Sequence, residues 1–148
     1  MSKFKWHWAT VFAVLCLPAM LMAHEGKTTF VMTEMANYHA ALVSNINTRV
    51  DTTKLVKILR GGGDSKTEKE IFAVALPLAE RLGAAASAKE RLDLYAALSE
   101  KLAPLHGFHD QSNTNVFYCP MLKKKWIARG SEISNPYRAD MRSCGAKN

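Results

Sequence analysis

Val31, Met35, Tyr38, Leu42, Ile46 and Val50 recur at three- and four-residue steps, a spacing that an α-helix gathers into one apolar stripe. Such a stripe must be buried against other elements, so it predicts a helix that needs neighbours. A second, shorter helix is expected from about Asp51 or Thr52, carrying Leu55, Val56, Ile58 and Leu59 and stopped by Gly61-Gly62-Gly63. Glycine lacks the Cβ that resists a left-handed exit. The triplet is not read as a phosphate loop, because no Lys-Ser/Thr follows it and no strand leads in. Ser65-Lys66-Thr67-Glu68 fits a capping box that opens a third helix through about Leu82, with Pro77 inside it as a bend. A second box, Ser87-Ala88-Lys89-Glu90, opens a fourth helix with Leu92, Tyr95, Leu98 and Leu102 on one face. The expected fold is therefore all-α: an antiparallel four-helix bundle over residues 28–104, with an irregular Cys/Met-containing C-terminal tail, 105–148, packed against it.

Residues 1–23 read as a cleavable secretory signal peptide. Lys3 and Lys5 precede an apolar run from Trp8 to Met22, broken near its end by Pro18 and closed by Leu21-Met22-Ala23. The shortness of the run, the proline and the lack of a second apolar span weigh against a retained membrane anchor. Leu15 occupies the place where a lipid-attachment site at Cys16 wants a small residue. Cleavage after Ala23 leaves a single periplasmic domain, 24–148, of 125 residues, with room for one modest core. Its charge is uneven. From His24 to Tyr118 there are 11 basic and 11 acidic residues, whereas from Cys119 onward seven basic residues face two acidic ones. Lys123-Lys124-Lys125 leads that excess; export argues against nucleic acid as its partner, and a solvated loop or a contact with anionic lipid or an acidic protein face suffices.

Side chains with distinctive chemistry concentrate in the tail. Beyond Pro104, residues 105–115 are loop-like, Val116-Phe117-Tyr118 suits a short extended piece, and Asn135-Pro136 marks a turn. Trp126, Ile127 and Tyr137 are the apolar residues expected to fasten the tail to the bundle. Cys119-Pro120-Met121 and Met141-Arg142-Ser143-Cys144 place two thiols and two thioethers at the ends of one segment. Soft sulfur donors select copper(I) and silver over hard cations, and nearby lysines and arginines favour the thiolate. If the segment is extended at Cys119 and Met121 and turned at Met141 and Cys144, each pair shares a face. The competing reading is a Cys119–Cys144 disulfide, the default for a cysteine pair in an oxidising compartment. It would stabilise the fold by roughly 3 kcal/mol, with Met121 and Met141 as packing residues.

His106 and His109 are weaker metal-ligand candidates, three residues apart and just upstream of Cys119. His24 would become the mature N-terminus, where amine and ring together suit copper(II). His39 lies beside the first apolar stripe, where core-edge packing is its default role. Cys119 and His109 do not make a persuasive nucleophile and base, since no orienting third group is visible and no cofactor loop is present. The chain is read as a non-enzyme.

Phe117-Tyr118-Cys119-Pro120-Met121, Trp126-Ile127, Ile133-Ser134-Asn135-Pro136-Tyr137 and Met141-Arg142-Ser143-Cys144-Gly145 together resemble the signature of a poorly characterised bacterial periplasmic domain family. Its members occur alone or attached to adaptor subunits of copper/silver efflux pumps. The likeness covers about 30 residues; the link from Met121 to Trp126 and the step from Tyr137 to Met141 are shorter than the family pattern. The resemblance implies a helical bundle capped by the tail, soft-metal binding through Cys119, Met121, Met141 and Cys144, and delivery of copper(I) or silver to a heavy-metal efflux adaptor or another envelope protein. It tips the reading toward a metal-binding accessory or carrier protein. The alternative is an envelope interaction module in which the Cys119–Cys144 disulfide is structural.

Overall fold

A computed structural model describes residues 26–148; residues 1–23, read above as a signal peptide, with Cys16, and also His24 lie outside the described residues. Four helices form in the expected order: α1 (Lys27–Ser44), α2 (Thr53–Arg60), α3 (Lys66–Ala84) and α4 (Ala88–Leu102). Val31, Met35, Tyr38 and Leu42 of α1 are buried, but Ile46 and Val50 are not in the helix. Asn45 is extended and its side-chain oxygen accepts from Asn47 N–H at 2.9 Å. This local bond competes with the next helical turn and ends α1 two turns early. Ile46 is left 38 % exposed, while Val50 reaches the core from the connecting segment.

Helix α2 is started by Asp51, whose carboxylate accepts from Thr53 N–H at 2.9 Å. Gly61 stays helical and Gly62 makes the left-handed exit, at φ +72°. The capping box of α3 is complete. Ser65 Oγ accepts from Glu68 N–H at 3.1 Å, and Glu68 Oε2 accepts from Ser65 N–H at 2.8 Å. The other Glu68 oxygen accepts from Thr28 Oγ1 at 2.7 Å, so one buried carboxylate ties α1 to α3. Burial alone would raise its pKa; the hydrogen bonds from Thr28, Ser65 and Asp64 outweigh that and hold it below the usual carboxylate range. The cap of α4 differs slightly from expectation: Ser87 Oγ accepts from Glu90 N–H, but Glu90 reaches back to Ala86 N–H rather than Ser87.

The tail is more regular than its sequence suggests. It forms β1 (Thr114–Cys119), β2 (Lys124–Arg129) and the short β3 (Ala146–Lys147), an antiparallel sheet in the order β2-β1-β3. The fold is thus the expected four-helix bundle with a tail packed against it, the tail carrying a small three-stranded sheet. Alternation could not reveal β2, because Trp126, Ile127 and Ala128 are consecutive and all buried. β2 packs against both α1 and α4, so those helices meet chiefly through it. Trp126, Ile127 and Tyr137 are the buried fasteners expected. No helix among the described residues is long and apolar enough to cross a membrane.

Candidate functional site in the cysteine tail

The hairpin places Cys119 at the end of β1, paired with Lys124, while Cys144 lies just before β3. The two are joined in a disulfide with Cα atoms 5.6 Å apart. Cys119 is completely buried and Cys144 half-buried against the core. In this bridged form neither cysteine offers a thiolate to a metal.

Around the bridge the other tail residues form a mutually supporting set. Asn135 is fully buried. Its Oδ1 accepts from Tyr137 N–H at 2.9 Å, and its Nδ2 donates to the Cys144 carbonyl at 3.2 Å. Its backbone N–H donates to the Arg142 carbonyl at 2.8 Å, and Arg142 Nη1 returns a bond to the Asn135 carbonyl at 2.6 Å. The Asn-Pro turn therefore clamps the arm that carries Cys144. Tyr137 directs its hydroxyl to the Lys125 carbonyl. Its ring meets the Trp126 indole edge-on at 6.3 Å, and Trp126 stacks on Phe117 at 5.5 Å. Gly145 lies against the far edge of that indole at φ +154°, where any Cβ would overlap the ring. Both the close approach and the backbone angle call for glycine.

Two of the contacts between helices and tail involve buried helix side chains. Tyr95 of α4 is completely buried, and its hydroxyl donates to the Ile127 carbonyl at 2.9 Å. Burial raises its pKa well above the ordinary tyrosine value, so it stays a neutral donor. His39 of α1 is buried and pairs through Nε2 with the Ser134 carbonyl at 2.6 Å. Because a carbonyl only accepts, Nε2 must carry the proton. Desolvation is the main cause of its lowered pKa. His39 is thus a core-edge residue, as expected, with an added role in gripping the segment before Asn135.

Not all the sulfur atoms converge. The extended geometry expected to align Cys119 with Met121 ends at Cys119, where the chain turns into the hairpin loop. Met121 stands 76 % exposed at that turn. Met141 closes a single 3-10 turn, Ala139–Met141, and packs partly buried against the core; Cys144 N–H donates to its carbonyl at 2.9 Å. His106 and His109 sit on a different part of the molecule. His106 Nδ1 is 3.9 Å from Asp110, and His109 lines a cleft with Gly26, Asp64 and Glu68. No group of three or more His, Cys, Asp or Glu side chains suited to a metal ion occurs among the described residues.

The basic run is also partly absorbed by the fold. Lys124 pairs with Asp93 at 2.6 Å and Lys125 with Glu100 at 2.9 Å, both acids lying on α4. These two lysines are strand residues and do not form the solvated loop that the sequence suggested. Hydrogen bonds from Lys124 and Lys89 lower the Asp93 pKa. Of the three lysines, Lys123 alone is without an ion pair among the described residues.

No family model, curated protein or solved structure matches this chain.

The sequence identified the cysteines and the Asn-Pro-Tyr and Met-x-x-Cys-Gly elements, yet assigned the polar chemistry to sulfur. The residues it missed are Tyr95, Arg142 and the acidic pair Asp93 and Glu100. Tyr95 looked like one more position in an apolar stripe, and only the length of a hydroxyl separates that from a tether.

Proposed function

We propose that this chain is an interaction module of the bacterial cell envelope whose Cys119–Cys144 bridge serves the fold. The supporting observation is the bridge itself, completed on one side by Asn135 and Gly145 and flanked by the Trp126–Tyr137 contact. Every tail residue in that set has a packing or hydrogen-bonding task, whereas Met121, needed for a four-sulfur pocket, faces solvent. Soft-metal carriage ranks second, because it requires two free thiolates where the chain holds a cystine. In this reading the protein works in the periplasm after signal cleavage. Its partner is another envelope protein, and the tail's resemblance points to an adaptor subunit of a heavy-metal efflux pump.

The test is a thiol count on protein isolated from the periplasm without reductant, together with an anaerobic copper(I) titration. The expected result is no free thiol and the same weak copper uptake as a Cys119→Ser/Cys144→Ser variant. Stoichiometric copper(I) or silver bound by the native chain and lost in that variant would overturn the proposal in favour of a carrier.

A further inference from the structure

Between the first turn of α1 and the length of α2 lies an open groove of about 390 Å³, lined by Lys27, Phe30, Lys54, Lys57, Ile58 and Gly61. Phe30 is 39 % exposed, unusual for so large an apolar ring, and Ile58 beside it is only partly buried. Gly61 contributes no side chain, which keeps that end of the groove open. The three remaining lining residues are all lysines, and no carboxylate is among the six.

Two of the ammonium groups are held in position from outside the groove. Lys54 Nζ pairs with Glu34 at 2.6 Å, and Lys27 Nζ pairs with Asp64 at 2.8 Å and donates to the Gly62 carbonyl at 2.9 Å. An ammonium has three N–H donors, so Lys54 retains unused ones; its side chain is 63 % exposed. Lys57 is exposed and has no ion-pair partner among the described residues. The walls thus combine an apolar floor with three ammonium groups, of which Lys27 and Lys54 are pre-positioned and already countered by Asp64 and Glu34 while Lys57 is the unpaired cation among the described residues. The pre-positioning reduces the ordering cost of binding.

We infer that this groove is the docking site of the interaction module and takes a short acidic segment of a partner protein, with one large apolar side chain seated on Phe30 and Ile58. The inference rests on the interaction reading above and deepens it. Its volume lies near the lower end of the roughly 300–1,000 Å³ range of ligand clefts, so it suits a single anchoring side chain better than a whole helix face. Carboxylates flanking that anchor would meet the ammonium groups of Lys54 and Lys57, giving the charge complementarity that selects among partners. A membrane surface is the less suitable occupant: the other exposed large apolar residues, Ile46, Val74, Met121 and Ile133, are not among the groove's lining residues.

The test uses the full mature chain with its cystine intact and a fluorescent peptide of four Asp or Glu residues around one Trp. Two control peptides replace Trp by Gly or the acids by Lys. Polarisation should show saturable binding of the acidic Trp peptide alone, weakened at least tenfold by Lys57→Glu and by Phe30→Ser. Because both positions are exposed, far-UV circular dichroism should confirm that the variants remain folded; if Phe30→Ser unfolds, Lys57→Glu decides. Absence of saturable binding, binding indifferent to Lys57→Glu, or binding only to phosphatidylglycerol vesicles would overturn the assignment. These outcomes are independent of the copper titration. A groove that fails in a chain with no copper-binding thiols overturns the docking site and leaves the structural bridge standing, whereas a groove that binds in a chain carrying copper(I) on its thiolates keeps the docking site and overturns the structural role of the bridge.

Discussion

The side-chain amide of Asn135 donates to the backbone carbonyl of Cys144 at 3.2 Å, across the turn that brings the second cysteine to the first. The same side chain accepts the Tyr137 N–H. Asn135→Ala would leave a buried donor and an acceptor unpaired, which costs about 1–3 kcal/mol for each such group. Urea unfolding should show a loss in that range; a variant as stable as the parent would mean that the amide is not holding the cystine arm.

Gly145→Ala should be destabilising through steric overlap. The added methyl group meets the Trp126 indole, and the residue must keep a φ that alanine resists. Overpacking of this kind costs typically about 1–3 kcal/mol. The near-UV circular dichroism of Trp126 should change along with the thermal midpoint, since the ring itself has to move.

Removing the bridge should weaken the fold without abolishing its helices. Native disulfides in small domains contribute about 2–5 kcal/mol, and the loop closed here spans 25 positions. The Cys119→Ser/Cys144→Ser variant is expected to lose stability in that range in urea while retaining most helical circular dichroism at low temperature. No measurable loss would show that packing of Trp126 and Tyr137 fastens the tail unaided.

His39 provides a pH dependence of defined sign. Its folded-state pKa lies below the ordinary 6.5, mainly through desolvation, so the unfolded chain takes up the proton first as pH falls. Its contribution to stability is complete above about pH 6.5 and declines as the pH drops toward the folded value. Urea midpoints measured at pH 7.5 and pH 5 should fall further for the parent than for His39→Gln. Equal decreases would assign the acid sensitivity to other groups.

The helices were legible in the sequence because their signals are local. Ser65 and Glu68 meet within one turn, and Gly61-Gly62 ends α2 by its own backbone freedom. The early end of α1 depends on Asn45, a polar residue that does not disturb an apolar periodicity until its side chain bonds to Asn47. The tail was less legible for a different reason. β2 is covered on both faces, and its contacts with Tyr95, Asp93 and Glu100 join residues 25 to 32 positions apart. Spacing within the tail carries no trace of such partners. The sulfur pattern was visible, but a cystine and a shared metal site both need the two arms brought together, so spacing alone could not choose between them.

Because β2 packs against both α1 and α4, the seam between those two helices is closed by residues far along the chain, whereas α2 and Glu68 of α3 meet α1 without it. Residues 26–104 by themselves would therefore keep their helix-to-helix packing but leave that seam open, and it is Trp126 and Ile127, both fully buried, that fill it.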